Sequence, residues 1–183
     1  MNKDERALLE TLDAIVHSAR VRERLGPIVE RVRVDLAGKL DALMSWESVA
    51  LETFDALPSA IASGWIFVLR AGADTGAERH PNSHQRMMTL VGTGDMKIDA
   101  KGTPNEVDVE SEILWRSHLL VSEADAPVER RWISIPKNVW HRPVIPKGSD
   151  WVVVSFHTAA AEELIEERPG ARQMLYLDEG AND

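Results

Sequence analysis

The chain has 183 residues, of which 30 are acidic and 21 are basic, so its formal net charge is −9. This charge argues against nucleic acid or an anionic membrane as a partner, because both need a basic protein surface. The chain has no cysteine, which excludes disulfide bonds, zinc–thiolate sites and cysteine nucleophiles.

No apolar stretch approaches the roughly 20 residues that a helix needs to span a bilayer. The first residues lead into an amphipathic pattern and lack the apolar core of a secretion signal. We therefore expect a cytoplasmic protein, a location that the absence of cysteine also fits.

The first 45 residues have the periodicity of two amphipathic helices. Apolar side chains recur at steps of three or four residues, first over 8–19 and again over 29–43. Gly26 and Pro27 interrupt the pattern, and Pro27 suits the first turn of a second helix. The sequence thus predicts a helical hairpin over 1–45 and a second unit over 46–183. The hairpin either covers its own chain or forms a dimer interface.

After Trp46 the pattern changes to that of short strands. The first two lie at 49–51 and 64–70, and the second is so apolar that burial on both faces is predicted. Turns rich in Gly and Pro separate further predicted strands at 85–91, 95–98, 106–110, 131–135 and 151–157. Many short strands of this kind predict a mainly β sandwich or barrel.

Two later segments complete the predicted fold. Residues 111–127 fit either a pair of strands or a helical turn, and the longer stretch 99–127 is a candidate lid. Residues 159–167 fit a short C-terminal helix, with Thr158 as its N-cap and Pro169 and Gly170 after its end.

Two stretches, 78–85 and 135–141, place imidazole and carboxylate groups at turns beside predicted strands. Side chains two residues apart in a strand share a face, so Glu78 and His80 are expected to point the same way. If His141 arrives from a neighbouring strand, one carboxylate and two imidazoles converge. This facial-triad ligand set suits Fe²⁺, and also Mn²⁺, Ni²⁺ or Zn²⁺. The sequence therefore predicts a divalent transition-metal site.

The same two stretches resemble the motifs of the cupin superfamily, and the resemblance spans roughly residues 60–157. In the first motif, His-x-His followed by Glu and Gly, Glu78 and His80 occupy the histidine positions and Gln85 the glutamate position. In the second, Pro-x-Gly-x-x-His, His141 is the histidine and Asn138 replaces glycine, whose left-handed backbone asparagine tolerates. The resemblance implies a cupin double-stranded β-helix barrel, an RmlC-like jelly roll, with the motif residues at its mouth.

The resemblance also implies a metal-binding protein that acts on a small organic molecule. Gln85 would either complete the ligand set of Glu78, His80 and His141 or hydrogen-bond the substrate. An Fe²⁺-dependent dioxygenase is the leading expectation, and no catalytic residue is identified. Thiol dioxygenases of this fold also have helices before the barrel, but they use three histidines.

Two other functions remain open. Sugar-phosphate isomerases of cupin fold use a glutamine ligand, so a redox-neutral isomerase or lyase with Zn²⁺, Mn²⁺ or Ni²⁺ is one alternative. A cupin that binds a small molecule without catalysis is the other. Because cupins are often dimers and the hairpin offers an interface, a homodimer is expected.

Four further residues are predicted to line the substrate pocket: His84, Arg86, Met87 and Trp140. His84 suits a hydrogen bond in the barrel or at its rim better than metal ligation. Arg86, like Arg70, Arg79 and Arg142, flanks the motifs, and arginine recognises carboxylates through paired hydrogen bonds. We interpret His118 and His157 as ordinary surface or core histidines.

Overall fold

The computed structural model describes residues 2–101, 110–171 and 174–176. Its helices are α1 (Lys3–His17), α2 (Ala19–Gly38) and the short α3 (Val128–Arg131), with 3₁₀ turns at Leu51–Phe54, Glu110–Glu112 and Ala161–Glu163. Its strands are β1 (Met44–Val49), β2 (Ser63–Leu69), β3 (Gln85–Val91), β4 (Thr93–Asp99), β5 (Trp115–Arg116), β6 (Leu119–Val121), β7 (Trp132–Ile135), β8 (His141–Val144), β9 (Trp151–His157), β10 (Ile165–Glu166) and β11 (Met174–Leu175).

Two antiparallel sheets build the barrel. One has the strand order β1-β2-β9-β3-β7, and in the other β5, β6 and β8 each pair with β4. Inward side chains of both sheets, among them Trp65, Met87, Met96 and Trp151, pack into one buried apolar cluster. The structure therefore confirms the predicted mainly β barrel with an N-terminal helical hairpin.

Strand β2 is buried along its whole length, as its apolar composition predicts. Its side chains alternate between two cores, because neighbouring residues of a strand point to opposite faces. Trp65 and Phe67 contribute to the barrel interior, while Ile66 and Val68 belong to the apolar cluster that includes the helices. The sheet is therefore covered on its outer face as well as its inner one.

The helical hairpin provides that outer cover. Buried apolar residues of α1 and α2, such as Leu12 and Leu25, share a cluster with Val154 and Phe156 of the five-stranded sheet. The hairpin thus packs on the barrel of its own chain, which answers one question that the sequence left open. The homodimer stays a prediction. Among the described residues, no helix is long and apolar enough to cross a bilayer.

The predicted break of the hairpin at Gly26 and Pro27 is wrong, because α2 runs through both residues. The chain bends instead at Ser18, which has an extended backbone and whose Oγ accepts a hydrogen bond from the N–H of Val21 at 3.3 Å. A proline inside a helix costs a hydrogen bond. Packing of α2 against the sheet offsets this cost, a tertiary effect that local sequence patterns do not reveal.

Helix α2 also ends earlier than the predicted end of the hairpin. It stops at Gly38, and the guanidinium of Arg70 donates to the carbonyls of Leu36 and Lys39, each at 2.8 Å. Arg70 follows β2 in the sequence, so this cap of the helix end is supplied from a distant part of the chain.

Three predicted elements differ from the structure. The strand predicted at 49–51 ends at Val49, and a 3₁₀ turn follows. The helix predicted at 159–167 is reduced to the 3₁₀ turn Ala161–Glu163, and β10 follows it directly. The strand predicted at 106–110 lies outside the described residues except for Glu110, which begins a 3₁₀ turn.

The ambiguous segment 111–127 contains the two short strands β5 and β6, which both pair with β4. These paired strands are part of the barrel wall, so this part of the proposed lid is a fixed element. Strand β8 was not predicted because it contains Pro143, and proline normally argues against a paired strand.

The turn before β8 has a left-handed residue where the cupin motif has glycine. Asn138 has φ of 65°, and its backbone N–H donates to the carbonyl of His80 at 2.9 Å. Asn138→Ala is expected to cost about 1–2 kcal/mol of stability, because alanine lacks the local hydrogen bonding that eases this conformation, whereas Asn138→Gly should cost less. Urea unfolding of both variants checks this. Equal stability of both variants and the wild type would contradict it.

Candidate metal centre

Backbone hydrogen bonds bring the two motif stretches together. Glu78 and His141 form an isolated antiparallel bridge, in which each N–H donates to the carbonyl of the other at 2.8 Å. The Asn138 turn holds His80 beside them. As a result, ligand atoms of Glu78, His80 and His141 all lie within 4.8 Å of one another. The predicted convergence of one carboxylate and two imidazoles is therefore present in the structure.

All three side chains are buried, with relative exposures of 8% for Glu78, 4% for His80 and 1% for His141. The Nε2 of His141 lies 3.3 Å from Oε1 of Glu78, and Nη2 of Arg168 lies 3.4 Å from Oε2. Burial by itself would raise the pKa of Glu78, but the close contact with His141 and the charges of His80 and Arg168 lower it to about 2. Glu78 is therefore an anionic oxygen donor near neutral pH.

Both histidines are oriented by backbone carbonyls. The Nδ1 of His80 lies 3.0 Å from the carbonyl oxygen of Ile165, and Nδ1 of His141 lies 3.1 Å from that of Val139. Since a carbonyl only accepts, Nδ1 of each ring carries a proton. Burial, and then the neighbouring His141, lower the pKa of His80 to about 4, which keeps its ring neutral at physiological pH. A neutral His80 protonated at Nδ1 keeps the lone pair of Nε2, which can ligate a metal.

Gln85, at the start of β3, lines the same cavity as Glu78. Its Oε1 is buried and has no hydrogen-bond partner, while its Nε2 donates to Oγ of Ser155 at 3.1 Å. Gln85 and Glu78 are the polar residues that line a cavity of about 20 Å³, whose other walls include Met87 and Tyr176. A cavity of this size holds about one water molecule.

Of the four predicted pocket residues, Met87 lines this cavity and the other three lie elsewhere. Arg86 faces away from the cavity because alternate residues of β3 point to opposite sides, and its guanidinium pairs with Glu5 of α1 at 2.7 and 2.9 Å. His84 places Nε2 2.7 Å from Oγ of Ser134. Trp140 belongs to a separate small apolar cluster.

The other arginines beside the motifs also have partners. Arg79 pairs with Glu167 at 2.7 Å and lies over the Trp140 ring, and Arg142 pairs with Asp74 and Glu110. Together with Arg70, which binds helix carbonyls, they have structural roles. The structure therefore gives no support to an anionic substrate held by these arginines.

Two more residues lie beside these side chains, His157, which the sequence suggested as a surface or core histidine, and Tyr176, which it did not single out. His157 is 1% exposed, and its ring centroid lies 5.0 Å from that of His80 in an edge-on arrangement. Burial, and then the neighbouring His80 and His141, lower its pKa well below the ordinary value. Its inward position could have been predicted from the sequence, because side chains alternate along β9 and His157 falls on the same face as Trp151. Tyr176 packs against Trp65 and comes within 6.1 Å of His80, and no sequence pattern indicated this.

No family model matches the chain, and no curated protein matches it. Among solved structures, the capsular polysaccharide assembling protein CapF from Staphylococcus aureus matches with a TM-score of 0.51 and 11% identity, covering 72% of this chain. The chain spans about a third of that protein, since the match covers 33% of it. Such low identity shows similarity of fold alone.

Two smaller structures match with lower TM-scores. The cupin domain of Cnp3 from Schizosaccharomyces pombe has a TM-score of 0.43 and 9% identity, covering 63% of this chain and 61% of that one. KdgF from Halomonas sp. has a TM-score of 0.43 and 11% identity, covering 66% of this chain and 84% of that one.

Proposed function

We propose that the chain is a metal-binding cupin that holds a divalent transition metal through Glu78, His80 and His141. The observation that carries the proposal is the convergence of these three buried side chains within 4.8 Å. Nη2 of Arg168 lies 3.4 Å from Oε2 of the buried Glu78 carboxylate, so Oε1, on the side of His141, is the oxygen that would bind the metal. The Nε2 of His141 and Oε1 of Gln85 are both buried without a hydrogen-bond partner, as ligands of a cation at this position would be.

We further propose that the metal is Fe²⁺ and that the protein is an oxygenase-type enzyme acting on a small organic molecule. Two imidazoles and one carboxylate form the ligand set of non-haem iron oxygenases, whereas Zn²⁺, Mn²⁺ and Ni²⁺ also accept these donors. When bound, the metal would supply Lewis acidity and, as iron, the capacity to react with dioxygen.

The protein's own residues would prepare this site. The carbonyls of Ile165 and Val139 orient the two imidazole rings, and Arg168 lies beside the Glu78 carboxylate. Apolar walls, with Met87 and Tyr176 among them, exclude bulk water from the donors. A dry and preoriented set of ligands needs little rearrangement when charge develops in a reaction.

A non-catalytic cupin is the second candidate, and the size of the cavity favours it. At about 20 Å³ the cavity has no room for an organic substrate beside Glu78 and Gln85. Catalysis therefore requires a movement of the wall, and Tyr176 is the wall residue nearest the chain's C-terminal end. A redox-neutral isomerase or lyase is the remaining alternative, and it needs the same movement.

Metal analysis of untagged protein by inductively coupled plasma mass spectrometry tests the proposal. We expect close to one equivalent of iron, and the iron form should then be screened for oxygen consumption with small organic substrates. Stoichiometric zinc, manganese or nickel would transfer the proposal to redox-neutral chemistry. Protein that is isolated without metal, and takes up none of these four ions from buffered solutions, would contradict metal binding altogether.

A further inference from the structure

A chain of buried hydrogen bonds runs from Gln85 through Ser155 and His157 to Ser83. The Nε2 of Gln85 donates to Oγ of Ser155 at 3.1 Å, and this Oγ lies 3.1 Å from Nε2 of His157. The Nδ1 of His157 in turn lies 3.4 Å from Oγ of Ser83. These side chains are between 0% and 5% exposed, so no bulk water competes for their hydrogen bonds.

The NH₂ group of Gln85 suits Ser155 whichever ring nitrogen of His157 carries the proton. The Oγ of Ser83 accepts from the backbone N–H groups of Thr158 and Ala159 at 3.0 and 3.2 Å, so it does not fix the proton of His157. Whether Ser155 donates to Nε2 of His157 or accepts from it, one lone pair of Ser155 stays free for the Gln85 NH₂. An amide oxygen in that place would need the hydroxyl proton of Ser155, which is free in only one of the two cases.

The same hydrogen bonds leave His157 out of the proposed ligand set. Both of its ring nitrogens are engaged by serine hydroxyls, although the ring packs edge-on against His80. The three-residue cluster that can hold a metal, within the described part of the chain, accordingly leaves His157 out.

We propose that Ser155 and His157 are positioning residues, which hold the Gln85 amide with its oxygen toward the metal and so make Gln85 the fourth ligand. The inference rests on the proposed metal site. A glutamine amide is nearly symmetric in shape, so without such a partner it could present NH₂, which repels a cation. At the sequence position where cupins have a charged glutamate, this chain has a neutral amide. Ser155 and His157 determine the orientation of that amide.

Cobalt titration of the full chain tests this role, because Co²⁺ accepts the same donors and its visible bands report the number and type of its ligands. Ser155→Ala is expected to weaken Co²⁺ binding about tenfold, as loss of an orienting partner does. It should also change the visible bands in the same direction as Gln85→Ala. The double variant should bind no more weakly than Gln85→Ala alone, because both changes remove one interaction. His157→Ala should give the same spectrum, and thermal unfolding shows which variants are folded.

Ser63→Ala is the matched control. Ser63 is a buried serine opposite His157 in the sheet, but its Oγ donates to the carbonyl of Ala159 and makes no bond to Gln85. It should keep the wild-type spectrum and affinity. If folded Ser155→Ala also keeps both, or if its effect simply adds to that of Gln85→Ala, the positioning role is overturned. Glu78→Ala separates the two proposals, because retained binding in that variant would overturn the metal site itself.

Discussion

His141→Ala is expected to remove the bound metal, with an affinity at least about 100-fold lower than that of the wild type. This loss of metal affinity is larger than the loss expected when a residue that only orients a ligand is removed. The imidazole is 1% exposed, its Nε2 has no hydrogen-bond partner, and Nδ1 holds it on the carbonyl of Val139. Alanine keeps the backbone bridge to Glu78, so the barrel should still fold. Metal content and Co²⁺ titration measure the loss.

His84→Ala is the matched control for this prediction. His84 stands in the same motif stretch as His80, but it contacts Ser134 on the outer side of the sheet. It should retain the metal of the wild type. Full metal content in His141→Ala would contradict the assignment of the site, and loss of metal only in His84→Ala would move the site to the hairpin side of the barrel.

The parts of the fold that follow from short-range patterns were predictable. Strands β3 and β9 begin and end where the sequence placed them, because their apolar runs are bounded by turn residues. The same two-residue period, applied to Glu78 and His80, predicted that these two side chains share a face. Asn138 was expected to take a left-handed backbone, and its φ of 65° confirms this.

The parts that depend on long-range contacts were not predictable. Arg86 was assigned to the substrate pocket, but its partner Glu5 lies 81 residues earlier in the sequence. Only the packing of α1 on the sheet brings the two together. The bend at Ser18 and the cap that Arg70 supplies to α2 have the same origin. His157 is different. The alternation of side chains along β9 is enough to place it on the inward face, but a histidine there suggested no particular role.

The same Glu5–Arg86 pair gives the largest expected effect on stability. Glu5 accepts hydrogen bonds from Nε and Nη2 of Arg86 and, at 2.7 Å, from Oγ of Ser134. Arg86 is 6% exposed, and its Nη1 already lacks a partner. Glu5→Ala would therefore leave a buried guanidinium uncompensated, at a cost of about 3–5 kcal/mol in the free energy of unfolding. Urea unfolding measures it, with Glu10→Ala as a control, because that carboxylate on the same helix is exposed and should matter little.

The contribution of Glu5 to the free energy of unfolding should also depend on pH, and its pKa gives the direction. Burial raises the pKa of Glu5, but the hydrogen bonds from Arg86 and Ser134 outweigh burial and lower the pKa below its ordinary value. A carboxyl group whose pKa is lowered by folding stabilises the protein above its unfolded pKa, and this contribution is lost as the pH falls. The stability difference between wild type and Glu5→Ala should therefore be full at neutral pH and shrink below about pH 4, near the ordinary pKa of glutamate. A difference that stays constant over this range, or a Glu5→Ala variant as stable as Glu10→Ala, would show that the ion pair does not hold α1 on the sheet.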